Sequence, residues 1–249
     1  VNLNPNNACN WRCIYCQVPN LARGSAPHVD LVELGQELRR MLEAVCRGSY
    51  LEEHAPPEAR VLKDIAISGN GEPTSCPEFV EVVECIGNLR VEYQIAERVN
   101  LVLITNGSLV GKTEVQQGLR ALARQGGEVW FKLDRGTDAA FRAANGTSTS
   151  VAHQVQRLGI AARLCRTYVQ SCWYTQAGQE PPQAEVDDYV GCLEQTQAAG
   201  VTLAGVQLYT LARKPQLAEG HALGPVSANW ISSLAGRLTR LGLRVIVAG

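Results

Sequence analysis

Little in the chain ties it to a membrane or to a polyanion. No apolar run in its 249 residues approaches the length needed to cross a bilayer, and no secretory signal pattern opens it. Neither sign of charge dominates. The 23 basic and 24 acidic residues leave a formal charge of −1, so no global field draws nucleic acid, although a local basic patch is not excluded. Methionine is nearly absent. The sole one is Met41, so Val1 does not read as a natural start and an upstream segment is expected. There is no internal repeat, low-complexity tract or second domain, and residues 1–249 read as one domain long enough for one large core.

Cysteine, by contrast, is plentiful. Three of the nine crowd into the stretch Cys9–Cys16 and the other six are scattered. Disulfide frameworks belong to short secreted chains, whereas clustered cysteines in an enzyme-sized chain point to metal and to a reducing, cytoplasmic setting.

Apolar β-rich runs alternate with amphipathic helical stretches. The expected strands are Val1–Asn4, Val61–Ser68, Asn100–Thr105, Glu128–Asp134, Ala162–Ser171 and Val201–Thr210, with Leu243–Val247 as one more short strand. Leu62–Ile67 and Leu101–Ile104 are nearly continuous apolar runs, as strands buried on both faces of a parallel sheet require. Helices announce their ends. Asp30 with Glu33 makes a capping box before the stripe Leu31, Leu34, Leu38, Leu42 and Val45, Pro77 suits a first turn, and Ser227 opens a last helix closed by Gly242. Six β-α units imply an α/β fold of parallel strands, either an open, partial (β/α)6 barrel or a doubly wound sheet, with ligands at the carboxyl ends of the strands. The loop Gln176–Pro182 reads as a polar surface excursion.

The opening VNLNPNNACNWRCIYCQVPN runs a short strand into Asn-Pro-Asn-Asn and then places Cys9, Cys13 and Cys16 in C-x3-C-x2-C spacing. Soft thiolates suit iron–sulfur clusters and zinc. A structural zinc site closes with four ligands, and no fourth Cys or His lies nearby, whereas a cubane on three cysteines keeps one iron open. The triplet, with Tyr15 just before its last cysteine, resembles the signature of the radical S-adenosylmethionine (SAM) superfamily. More closely, SGNGEPT, LITNGSL, VWFKLD and VQLYTLARKP resemble a subgroup of iron–sulfur oxidoreductases akin to the radical SAM domain of the tRNA wybutosine enzyme, over most of the chain.

That resemblance implies a partial (β/α)6 barrel with a [4Fe–4S] cluster on Cys9, Cys13 and Cys16 in the loop after its first strand. It implies that SAM binds the open iron, that an electron from the cluster splits SAM to methionine and a 5′-deoxyadenosyl radical, and that a donor such as flavodoxin or ferredoxin supplies the electron. Tyr15 would lie near the adenine, and the turn Gly71-Glu72-Pro73 would receive the methionine amino group, with Asn70 standing where a glycine is common. Lys132 and Asp134 alternate with buried neighbours, so both point one way. They, with Asn106 at the third strand's end, would contact SAM or substrate, unless they form only a salt bridge and a turn. Ser171 is a candidate ribose contact and Arg213 a candidate carboxylate or phosphate clamp. Cys172 is a core thiol, a cavity wall or a reactive group, so Lys132 and Cys172 are the catalytic candidates. His28, His153 and His221 are too scattered to form a site.

The expected activity is hydrogen abstraction from an organic substrate, a small molecule or peptide ahead of tRNA. The wybutosine-type alternative calls for a lysine holding a keto acid as an imine, for which Lys132 is a candidate, and for a second cluster from upstream cysteines. A non-catalytic electron carrier or sensor is the alternative from another class. It needs no Gly-Glu turn.

Overall fold

The computed structural model describes residues 1–248. The chain opens with two short strands, β1 (Ala8–Cys9) and β2 (Ala22–Arg23), which pair in parallel and bracket the cysteine loop. Helix α1 (Leu31–Cys46) follows, capped by the Asp30 carboxylate, which accepts from the Val32 and Glu33 amides. A short helix α2 (Tyr50–His54) leads to β3 (Asp64–Ile67), α3 (Phe79–Glu92), β4 (Asn100–Thr105), α4 (Thr113–Arg124) and β5 (Glu128–Lys132). Two helices, α5 (Asp138–Asn145) and α6 (Val151–Leu164), separate β5 from β6 (Arg166–Cys172). Then come β7 (Tyr174–Gln176), α7 (Gln183–Ala198), β8 (Gly205–Tyr209), β9 (Leu223–Pro225), α8 (Ala228–Arg240) and β10 (Val245–Ala248).

Six parallel strands in the order β10-β8-β6-β5-β4-β3 curl into a half-barrel. This is the partial-barrel alternative, with β10 the further C-terminal strand. The expected first strand Val1–Asn4 is reduced to a parallel contact beside β3: Asn2 bridges Ser68, and the Val1 carbonyl accepts from the Ser68 amide at 3.0 Å. Pro5 has no N–H to extend that ladder. The expected Ala162–Ser171 strand starts at Arg166, because residues 162–164 complete α6. The stretch Gln176–Pro182 is the expected exposed excursion, entered from β7, which pairs antiparallel with β9.

Side chains on the two faces of the sheet have different fates. Leu101, Leu103, Val129, Phe131, Val169, Val206 and Leu208 pack outward into one core with Val82, Ile86, Leu119, Leu158, Tyr189 and Leu238 from the helices. The alternate positions face inward and form rows set by the strand register. Ile104, Trp130, Tyr168 and Gly205 make one row. Lys132, Gln170, Gln207 and Ile246 make the next, and Cys172, Tyr209 and Ala248 lie above it. Polar and aromatic residues dominate this concave face, which no helix covers.

Candidate active site

The cysteine loop sits over the carboxyl ends of the strands, held by backbone contacts to distant elements. The Arg12 and Ile14 amides donate to the Asn145 and Ala144 carbonyls at the end of α5, and the Cys16 carbonyl accepts from the Gln216 amide at 2.8 Å. The loop also lies so close to the turn after β3 that a Cβ on Gly71 would stand 1.9 Å from the Ala8 carbonyl oxygen. Gly71 is therefore needed for close approach, whatever else the turn binds.

Each of the three thiols receives one N–H. The Trp11 amide donates to Cys9 Sγ at 3.5 Å, the Val18 amide to Cys16 Sγ at 3.5 Å, and Asn145 Nδ2 to Cys13 Sγ at 3.4 Å. Burial pushes the Cys9 thiol up to about 11 and the Cys13 thiol up to about 12, and raises Cys16 as well. As bare thiols they stay protonated at neutral pH; only a bound metal would deprotonate them. All nine cysteines are free. Among the described residues no three His, Cys, Asp or Glu side chains converge to grip a single metal ion. A cubane does not ask for that convergence, because it bonds each thiolate to a different iron. Three thiols in one loop, each with an N–H to stabilise sulfur charge, fit an iron–sulfur cluster and fit mononuclear zinc poorly.

Behind the loop, Asp134 is completely buried and accepts three hydrogen bonds: from Tyr15 Oη at 2.5 Å, Asn145 Nδ2 at 2.6 Å and the Cys172 amide at 2.7 Å. It thus ties the cysteine loop, α5 and β6 together. Burial, reinforced by Asp134, raises the Tyr15 hydroxyl well above its ordinary range, so it stays a donor. The Tyr15 ring lies 5.9 Å from that of Tyr174. Lys132 projects from the inner face, donates to the Tyr209 hydroxyl, and lies 4.3 Å from the Tyr209 ring centroid and 5.7 Å from that of Tyr15. Among the described residues no carboxylate pairs with it within ion-pair distance, which leaves its charge available to an anionic ligand. Cys172 is fully buried beside these aromatics, its thiol pushed up to about 12 by burial and by nearby Asp134, so it is a chamber wall and not a ready nucleophile.

Of three further expected ligand contacts, one faces away from the chamber, one is exposed and one lies at the turn under the cysteine loop. Ser171 falls one residue out of phase with Cys172, so its hydroxyl points to the helix layer, donates to the Leu133 carbonyl at 2.6 Å and shares a proton with the Tyr189 hydroxyl. A ribose in the chamber would be out of its reach. Arg213 is exposed; its carbonyl accepts from Gln17 Nε2 at 3.1 Å, and its guanidinium makes no hydrogen bond among the described residues. The Glu72 carboxylate is held by four donors, three on Oε1 and one on Oε2. It accepts from the Thr74 amide and hydroxyl, from the Thr105 hydroxyl at 2.6 Å and from the Asn106 amide at 2.7 Å, and it joins the ends of β3 and β4. Burial raises its carboxyl pKa despite those donors. Glu72 is thus a brace for the turn, with Pro73 starting the short helical turn that supplies Thr74. Asn106 completes the brace: Nδ2 donates to Asn10 Oδ1 in the cysteine loop at 2.8 Å.

Three site residues escape a reading of the sequence alone. Asn145, Gln154 and Arg135 all lie in or beside α5 and α6. Gln154 Nε2 bonds the Asn106 and Lys132 carbonyls at 2.7 and 2.9 Å, fixing both strand ends. Arg135 is buried, paired with Glu185, and stacked 4.4 Å from Trp173 and 4.6 Å from Tyr174. Only the Thr137 and Ser150 caps hint at the helices that carry or follow them.

No family model matches the chain. Over 121 residues it is 27% identical to a UPF0026 protein of Helicobacter pylori, covering 48% of this chain and 34% of that protein, so the match spans about a third of the relative's length. A second Helicobacter pylori strain gives 26% over the same length. Among solved structures, TYW1 with a lysine–pyruvate adduct bound is similar at a TM-score of 0.59 and 16% identity, covering 93% of this chain and 70% of that one. A radical SAM methyltransferase from Sphaerobacter thermophilus is similar at 0.57 and 18%, covering 97% and 64%. At such identities the likeness is one of fold, and it extends over nearly the whole chain. The half-barrel with its cysteine loop above the strand ends shares its fold with TYW1 and with that radical SAM methyltransferase.

Proposed function

We propose that the chain is a radical SAM enzyme that holds a [4Fe–4S] cluster on Cys9, Cys13 and Cys16 and acts on an organic substrate in a reducing compartment. The observation that carries this is the loop itself: three free thiols, each given an N–H, set at the mouth of a polar half-barrel. When bound, the cluster would supply the electron that splits SAM reductively to a 5′-deoxyadenosyl group able to take hydrogen from substrate. The chain's own residues give that chemistry its setting. Gly71 lets the cysteine loop seat on the turn, while Glu72 and Asn106 brace the loop against β4. Asp134 and Asn145 fix Tyr15 and Cys13, and Lys132 offers a cation to the carboxylate of SAM or of the substrate. Buried Tyr15 and Tyr174 line the chamber in which a reactive intermediate would form. An electron donor such as flavodoxin or ferredoxin is implied, because the cluster must be reduced before it can split SAM. No described helix is long and apolar enough to cross a membrane.

The test is anaerobic. Protein reconstituted with iron and sulfide, given dithionite and SAM, forms 5′-deoxyadenosine, and a triple variant with Cys9, Cys13 and Cys16 changed to Ala forms none. Equal product from both proteins would refute the assignment. A second reading has one observation in its favour: among the described residues Lys132 is the only lysine within a strand, it lies in the chamber, and TYW1 carries a lysine–pyruvate adduct. On that reading borohydride with pyruvate adds a reduced adduct to Lys132, read by peptide mass spectrometry; an unmodified Lys132 rejects it.

A further inference from the structure

The three cysteine sulfurs do not take their N–H groups from the same kind of donor. Cys9 and Cys16 accept from the amides of Trp11 and Val18, two residues on, which any residue but proline supplies. Cys13 accepts from a side chain 132 residues away, Asn145 Nδ2, at 3.4 Å. That side chain is completely buried, and Nδ2 also lies 2.6 Å from Asp134 Oδ2 and 3.1 Å from Tyr15 Oη. Nδ2 has two hydrogens for these three acceptors. The Asp134 carboxylate takes one. The other lies between Tyr15 Oη and Cys13 Sγ, and a sulfur that carries charge is the stronger acceptor. Charge also settles which way the amide points. Turned over, it would set Oδ1 against the Asp134 carboxylate, so Nδ2 faces inward even though Oδ1 is then buried without a partner among the described residues. Stability alone favours no such residue here, since a buried, unpaired acceptor costs free energy. The main chain fixes its place. The Asn145 carbonyl accepts from the Arg12 amide at 3.2 Å, and a Cβ on Gly146 would stand 2.4 Å from the Arg12 carbonyl oxygen.

We propose that Asn145 is a positioning residue that sets the reduction potential of the centre held by the three cysteines, through its N–H on Cys13. This rests on the radical SAM reading. Reduction adds one electron to a [4Fe–4S] centre and increases the negative charge on its thiolates, so a donor on sulfur favours the reduced form and raises the potential. Asp134 acts the other way, because a buried anion disfavours added negative charge. The Asn145 amide stands between the two and joins the carboxylate to the sulfur. Of the three donors it is the one a substitution removes without altering the backbone of the cysteine loop. The asparagines of the loop itself do not duplicate it: the side-chain amides of Asn4, Asn6, Asn7 and Asn10 all donate to oxygen.

The test is a redox titration of the full chain, reconstituted with iron and sulfide, reduced stepwise with dithionite without SAM and followed by electron paramagnetic resonance. Asn145→Leu keeps the size of the side chain and removes its amide. At a fixed potential its ratio of reduced to oxidised centre should be about tenfold below the parent's, a shift of about −59 mV for a one-electron couple. A residue that served the fold alone would lower the iron bound and leave the potential of the loaded fraction unchanged. A second measurement does not depend on the variant. Parent protein carrying nitrogen-15 only in its asparagine side-chain amides should show a nitrogen-15 coupling to the reduced centre in pulsed resonance. A parent centre without that coupling, or a loaded variant whose potential does not fall, overturns the proposal and leaves the radical SAM reading standing. A parent that gives no four-iron signal overturns that reading, and this proposal with it.

Discussion

Asp134 receives more of the chamber's hydrogen bonds than its position at a strand end suggests. The alternation of VWFKLD places Lys132 and Asp134 on one side, and both do face inward. In the next strand Ser171 reads as a candidate ribose contact, yet its hydroxyl points to the helices, because nothing in the residues before Trp173 marks which of Ser171 and Cys172 does so. That choice is made by Tyr189 on α7, a partner 18 residues away. Glu72 is legible as a site residue but not as a brace, since its four donors come partly from β4. The Asp134 network yields a sharp expectation. Asp134→Asn keeps the shape but replaces one acceptor oxygen by an amide N–H₂, set against either the Cys172 amide or the Tyr15 and Asn145 donors. Urea denaturation should show a loss of about 2 to 3 kcal/mol, the cost of leaving buried donors unpaired. A change below about 0.5 kcal/mol would mean the network is not formed.

At the scale of elements, β4 could be read to the residue, because a buried parallel strand is a continuous apolar run with a turn on either side. Helix α1 was equally plain from its cap and stripe. Between β5 and β6 the signals fail. Helix α5 has only eight residues, four of them alanine, and it ends at Gly146, whose left-handed φ of 56° closes it. Too short for a periodic stripe, it blends into α6, whose last turn looked like the start of a strand. Those hidden helices supply Asn145 and Gln154, which is why half the second layer of the site was invisible. The contact between the cysteine loop and the β3 turn is also tertiary, and it is testable. Gly71→Ala puts a methyl group into the Ala8 carbonyl and must push the loop away, whereas a Cβ on Gly111 meets nothing within 4 Å. After reconstitution, Gly71→Ala should retain less than about half the iron of the parent, since the site tolerates no such displacement, and Gly111→Ala should match the parent. Equal iron in both variants would show that the loop does not depend on this approach.

At the scale of the molecule, an open sheet of six parallel strands leaves its concave face to solvent and ligand, where an eight-stranded barrel would fill it with side chains. The order of β-α units and the cysteine spacing made this legible; the curl that chose a half-barrel over a doubly wound sheet did not, because it depends on twist and closure and not on the order of elements. The whole arrangement converges on one claim, that three cysteines bind a cubane cluster and leave one iron open to SAM. Electron paramagnetic resonance of the reconstituted, dithionite-reduced protein tests it most directly. The account predicts the signal of a reduced [4Fe–4S] centre whose g values shift when SAM is added; a four-iron signal untouched by SAM, or protein that binds zinc and gives no iron–sulfur signal, would contradict it.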